Sequence, residues 1–346
     1  MNNKDLSQNK SQILNSFDQS ASLQKPDNIL KLPNLFSSSS NKNLLKNCKN
    51  YSGISPKKLS LFIEKLITEA ATRFPGDIKK KINLSYEREG GVAREILGEI
   101  RKNISLAQKK KYPICQDTGI MNFFIRIPAY FPKDEFKKNT FKALKKLIKD
   151  GIVRHNATYS LDDFPNLSPE EIKSGANVNF YFTEHRQAKI KVDLLLKGGG
   201  SENMSQQFSL PSLKIKSRRD QEGILKCALE AVKKAGGKGC PPGILGIAVG
   251  GDRSTGYFHA KKQLLRKATE ISNKEIKTFE EKITGECNKL NIGPGGTGGK
   301  STILYTKICF LPRHPACFYV TIAYNCWALR RAGGSLTLQK EVRPYF

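Results

Sequence analysis

From residue 59 apolar side chains recur at alternating steps of three and four: Leu59, Phe62, Ile63, Leu66, Ile67 and Ala70 form one stripe. That spacing predicts a helix, and Ser55 with Pro56 behind it supplies the N-cap and first helical position. A second stripe from about Val92 carries Ile96, Leu97, Ile100 and Ile104, and a third from Asp134 carries Phe136, Ala143, Leu144, Leu147 and Ile148. Both predict helices. Between them "NFFIRIPAYF" is dense in apolar and β-branched residues and reads as a strand. Later, "NVNFYF", "AKIKVDLLL", "GILGIAVG", "STILYTKICF" and "CFYVTIAYN" predict strands, with helices near 221–235, 257–269 and 274–290. This irregular order points to an α+β fold, mixed layered sheets packed with helices, rather than a doubly wound sheet.

The pattern is absent at the start. Residues 1–54 are rich in Ser and Asn, include "SSSS", and read as a disordered or targeting tail, leaving 55–346 as the folded domain. The tail lacks Arg and contains Asp5, Asp18 and Asp27, which fits a mitochondrial presequence poorly, so the cytoplasm is the expected compartment and the mitochondrion the alternative. No run of about 18 apolar residues is present to cross a membrane. The net charge of +28 raises the question of nucleic acid. Its lysines are dispersed, in "DIKKKI", "AQKKKY" and "SLKIKSRR", without interleaved aromatics for stacking, so solvated helix faces are the expectation, and no nucleic acid. The same field could also draw in a small dianion.

"GPGGTGGKST", residues 293–302, has the outline of a phosphate-binding loop. Its anchor position is Pro294, which has no N–H, and a strand pattern follows where such a loop needs a helix. It is expected to be a glycine-rich turn feeding a strand, with no ATP. The eight cysteines are too sparse for a disulfide framework and lack C-x-x-C spacing. Cys227, Cys287, Cys309 and Cys317 read as small buried hydrophobes, and Cys48 lies in the tail. Cys115 in "PICQDTGI", Cys240 in "GKGCPPGILG" and Cys326 in "AYNCWALRR" instead lie at strand ends or Gly/Pro turns beside polar residues, where a thiolate can meet a cavity. Three thiolates fall one short of saturating a four-iron cube, and the iron left open is a Lewis acid.

"PICQDTGI", "KGGGSEN", "KGCPPGILGIAVGGDRSTGYFHAKKQLLR", "LNIGPGGTGGKST" and "PRHPACFYVTIAYNCWALRR", in order between about residues 57 and 331, resemble the class I fumarate hydratases and the related L-tartrate dehydratase α subunits. The resemblance implies a 4Fe-4S cluster on Cys115, Cys240 and Cys326 with one iron facing substrate. It implies that Gln116 and Asp117 contact substrate, Asp117 as the catalytic carboxylate, that His314 does so too, and that Arg154 clamps a substrate carboxylate. Gly198, Gly199 and Gly200, with Ser201 and Asn203, would form an anion cradle. Lys197 beside them either adds charge or simply faces solvent.

Single-chain members of that family carry a further C-terminal domain with more of the active site, and this sequence ends twenty residues beyond Cys326. The expectation is therefore a cluster-bearing α part that works with a separate β subunit, as a dimer or heterotetramer. The leading activity is reversible hydration of fumarate to (S)-malate. Dehydration of L-tartrate or another 2-hydroxy-C4-dicarboxylate is the alternative, with a basic nucleic-acid-binding protein or an inactive truncated homologue further off.

Overall fold

The computed structural model describes residues 54–158 and 175–338. The expected tail falls outside the described residues except for Ile54, which is buried in the core and so belongs to the folded part. Helix α1 (Pro56–Thr72) starts where the cap pattern places it: Ser55 accepts a hydrogen bond from the Lys58 N–H, and Pro56 opens the first turn. It is followed by α2 (Gly76–Arg88), α3 (Gly91–Lys110), β1 (Ile120–Pro128), α4 (Lys133–Lys149), β2 (Val178–His185) and β3 (Lys189–Lys197). Then come the single-turn α5 (Gly199–Asn203), β4 (Gln206–Ser209), α6 (Gln221–Ala235), β5 (Gly243–Val249), α7 (Arg253–Gln263), α8 (Lys274–Asn288), β6 (Ile303–Phe310), β7 (Tyr319–Asn325) and β8 (Arg330–Thr337).

The strands form two four-stranded mixed sheets, ordered β2-β1-β3-β8 and β4-β7-β5-β6. In each the parallel pair, β1 with β2 and β5 with β6, sits beside antiparallel neighbours. Alternate residues of a strand face opposite layers, as a period of two requires. Phe123, Ile125 and Ile127 of β1 join α1 and α4, while Phe124 joins the layer of α2, α3 and α7. In β5, Ile244 and Ala248 face that same middle layer, and Leu245, Ile247 and Val249 face α6 and α8. Every residue of β5 is buried, which explains its continuous apolar pattern. The α+β expectation holds, with both sheets sandwiched between helices.

Four elements escape the periodicity argument, the single-turn α5 among them. Helix α2 buries only Ile78 and Ile82 among its lysines, β4 is four residues long, and β8 is a polar edge strand whose one partner among the described residues is β3. Three boundaries also move, one of them the end of α7, which stops at Gln263 and not near 269. Helix α7 begins at Arg253, four residues before the expected start, because Asp252 accepts hydrogen bonds from the Thr255 N–H and Ser254 Oγ. The strand expected to run on to Phe131 stops at Pro128, after which a turn tucks Phe131 into the core. Cys227 and Cys287 are fully buried as expected, whereas Cys309 and Cys317 are only partly buried. Among the described residues no helix is long and apolar enough to cross a membrane.

Candidate functional site

Each of the three singled-out cysteines lies in a short connection. Cys115 follows α3, which ends when Lys111 turns left-handed at φ 55; the strap is then held by the Ile114 N–H on the Ala71 carbonyl at 3.0 Å and by Asn103 on the Ile114 carbonyl at 2.9 Å. Cys240 closes a 3-10 turn (Gly236–Gly239) before β5, itself left-handed at φ 48, and Cys326 directly follows β7. β5 and β7 are antiparallel with Ile244 opposite Asn325, so the start of one strand and the end of the other come together. The Trp327 N–H then donates to the Cys240 carbonyl at 3.3 Å.

The third segment is joined through the glycine turn after β3. The Cys326 N–H donates to Ser201 Oγ at 3.1 Å, and the Gly199 N–H donates to Asp117 Oδ2 at 2.8 Å. Asp117 Oδ1 accepts the Gly119 N–H at 2.8 Å. Three bonds therefore link the Cys240, Cys326 and Cys115 segments through α5. The sulfurs are near enough to act on one another: burial pushes the Cys240 thiol up, and the charges of Cys326 and then Cys115 push it further. Among the described residues no group of three or more His, Cys, Asp and Glu could hold a single metal ion. A multi-iron cage makes a different demand, one thiolate for each of several irons, with the sulfurs spread over its corners. Three thiols on three tied loops fit that donor set.

Around the cysteines the expected residues divide. Gln116 is exposed, with Oε1 3.7 Å from Cys115 Sγ. Arg154 is exposed, and its backbone N–H donates to Thr118 Oγ1 at 2.7 Å, which places it against the Asp117 segment. Gly198 and Ser201 are buried, while Gly199, Gly200 and Asn203 are exposed. His314 is not brought here. It lies past the other end of β5 and β7, beside Arg313 and Gly251 on an open cavity of about 790 Å3, and seven residues of strand, roughly 20 Å, separate the two ends.

Lys197 does not face solvent. Its side chain is 0% exposed, 2.8 Å from Glu202 Oε2 in an ion pair too oblique for a good hydrogen bond, and it donates to Ser205 Oγ at 3.1 Å. Glu202 Oε1 meets Lys261 Nζ at 2.6 Å. Burial lowers Lys197 to about 8 against the opposing pull of Glu202. Burial pushes the Glu202 carboxyl up, but the two ammonium groups outweigh it and hold it below the usual range. Arg330, which no motif singles out, is buried and donates through Nη1 to the Asp117 carbonyl and, at 3.1 Å, to the Thr118 carbonyl. Only its place in "NCWALRR", after the third cysteine, could have flagged it.

The glycine-rich loop packs on the turn that carries Cys240. The Gly295 N–H donates to the Pro241 carbonyl at 2.9 Å, and a Cβ at Gly296 would come within 2.5 Å of Gly237 Cα, so the two backbones touch because residue 296 carries no side chain. No helix follows it, and β6 does.

The model of the fumarate hydratase (Fumerase) family matches residues 61–335. A Geobacillus stearothermophilus protein provisionally named a class I fumarate hydratase is 40% identical over 282 residues, covering 80% of this chain and 54% of that protein. The chain thus spans about half the length of that relative. A Methanocaldococcus jannaschii protein provisionally named an L(+)-tartrate dehydratase subunit alpha is 35% identical over 287 residues, covering 80% of this chain and 96% of its own. The Escherichia coli K12 L(+)-tartrate dehydratase subunit alpha is 25% identical over 298 residues, covering 82% and 92%.

Proposed function

The chain belongs to the fumarate hydratase (Fumerase) family, and from that premise we propose that it is the cluster-bearing part of an iron–sulfur hydro-lyase that interconverts fumarate and (S)-malate. The observation that carries this is the joining of three cysteine loops, distant in sequence, by hydrogen bonds through one glycine turn. Cys115, Cys240 and Cys326 would hold a 4Fe-4S cluster, whose open iron supplies a Lewis acid for the hydroxyl of a 2-hydroxy acid.

The remaining chemistry falls to the chain's own groups. Arg154 offers an always-charged fork for one substrate carboxylate. Gln116 adds an amide donor, and Gly198, Gly200, Ser201 and Asn203 form the wall of the turn on which an anion would rest. Asp117 is the proposed catalytic carboxylate. Each of its oxygens takes one amide N–H, and a carboxylate oxygen has two lone-pair directions, so capacity to accept a proton remains. His314 stands outside this chain's own cysteine site in the proposal.

Two named relatives are alpha subunits, which supports a β-subunit partner and an α/β heterotetramer or dimer for this chain, and makes L-tartrate the second substrate to test. Cysteines that are free thiols among the described residues, and the open iron that a cluster on them would carry, suit a reducing compartment, and the cytoplasm is the proposed one. The test is anaerobic reconstitution of the chain with iron and sulfide, alone and with a β subunit, assayed on fumarate, malate and both tartrate enantiomers. A full cluster and malate–fumarate turnover that depends on the partner is expected. No cluster, or turnover on tartrate only, overturns the fumarase reading, and full turnover by the chain alone overturns the partner.

A further inference from the structure

We propose that Lys197, Glu202 and Lys261, two buried ammonium groups on one half-buried carboxylate, form a counter-charge behind the three cysteines that helps retain a cluster held there and raises its reduction potential. The inference rests on the iron–sulfur reading above and assigns these residues a positioning and electrostatic role, without contact to substrate.

The geometry begins at β3. Lys197 is its last residue, opposite Ile120, where the strap carrying Cys115 and Asp117 enters β1. The next residues are the glycine turn and α5, whose Ser201 receives the Cys326 N–H and whose Glu202 holds both lysines. Lys261 reaches in from α7 and is itself buried. The triad therefore lies directly behind the connection that ties two cysteine segments together. Cys326 is close enough that its negative charge helps Lys197 keep its proton.

Two ammonium groups sharing one carboxylate leave a net positive charge. Burying it is costly, and an ion pair of this kind brings no stability that well-packed apolar residues could not match. The other titratable groups that feel Glu202, Tyr181 and Tyr257, are phenols whose ionisation is pushed up by burial, so they add no negative charge to balance it. The thiolate side supplies negative charge against it, Cys326 being among the groups that act on Lys197. A doubly positive cluster core held by three thiolates is net negative, and more so once reduced, so a buried positive neighbour stabilises it and favours the reduced form.

The experiment uses the full-length chain and four variants: Lys197→Met, Lys197→Arg, Glu202→Gln and Lys261→Met. Each is reconstituted anaerobically, its iron counted, its loss of iron to a chelator timed, and its midpoint potential followed by electron paramagnetic resonance. Lys197→Met and Lys261→Met are expected to lose iron several-fold faster and shift the potential negative. Lys197→Arg should stay near the parent, while Glu202→Gln shifts the potential positive. Opposite signs are the signature, since a merely structural role would move the lysine and glutamate variants together. If Lys197→Met does not fold by circular dichroism, Lys261→Met against Glu202→Gln decides. Equal potentials, or shifts of one sign, overturn the inference alone; failure of the parent chain to take a cluster overturns the iron–sulfur reading and this inference with it.

Discussion

Removing the Asp117 carboxylate should loosen the site in the cluster-free chain, before any catalysis is measured. Its two oxygens accept the Gly119 and Gly199 N–H groups, each at 2.8 Å. A hydrogen bond to an ionised group contributes about 1.5–3 kcal/mol net. Gly119 is buried, so its N–H would be stranded, whereas Gly199 is exposed and water can replace its partner. The full loss therefore applies at one bond and a partial loss at the other, giving ~2–4 kcal/mol for Asp117→Ala. At about 2 °C per kcal/mol for a chain of this size, the melting temperature should fall by roughly 4–8 °C. Asp117→Asn keeps one acceptor and turns an NH2 toward the second N–H, so about half the loss is expected. Urea unfolding of apo protein under reducing conditions reads the difference, with thermal melts as a second probe. Stability of Asp117→Ala within about 0.5 kcal/mol of the parent would refute the anchoring argument and leave Asp117 a purely chemical role.

Gly246→Ala in β5 should destabilise by about 1–3 kcal/mol or more, because the new Cβ would sit 2.2 Å from the Ala260 carbonyl oxygen and force α7 off the sheet. Gly285→Ala on the exposed face of α8, where nothing lies within 4 Å, should instead stabilise by about 0.5–1 kcal/mol; melts of the two variants with opposite signs check the packing argument. Asp77→Ala should cost about 3 kcal/mol in denaturant unfolding, since it strips the carboxylate 2.6 Å from the buried Arg331 Nη2 and the acceptor of the Ala268 N–H; a loss below about 1 kcal/mol would show that the carbonyls around Arg331 suffice. Lys197, held at about 8 by burial, carries a penalty for its charge that is fully present below pH 8 and relieved as pH rises toward its unfolded value of 10.5, so apo stability relative to Lys197→Met should climb across that window. A difference that stays flat with pH contradicts the depressed value.

Where local sequence and burial agree, the elements were legible. The α1 stripe with its Ser55–Pro56 start, and the uniformly apolar β5, carry their own evidence, because a helix face or a two-sided strand is decided by side chains a few positions apart. The glycine-rich loop was legible by exclusion, since Pro294 and the β-branched run after it forbid a phosphate loop. β8 was not, because "RRAGGSLT" becomes a strand only by pairing with β3 more than a hundred residues earlier, and α2 owes its place to Asp77 meeting Arg331.

The site divides the same way. Strand ends and Gly/Pro turns marked Cys115, Cys240 and Cys326 as chemistry-bearing positions, since turn composition is local, and the family resemblance added Asp117 and Gly199. Which of them meet was decided by the register of β5 with β7 and the hand-over from β3 to α5, and that register also carries His314 to the far end. The burial of Lys197 is the sharpest case. A lysine beside three glycines either adds charge or faces solvent as far as sequence goes, and only the folded chain decides, because desolvation depends on atoms brought from α5 and α7 and not on the neighbours in sequence.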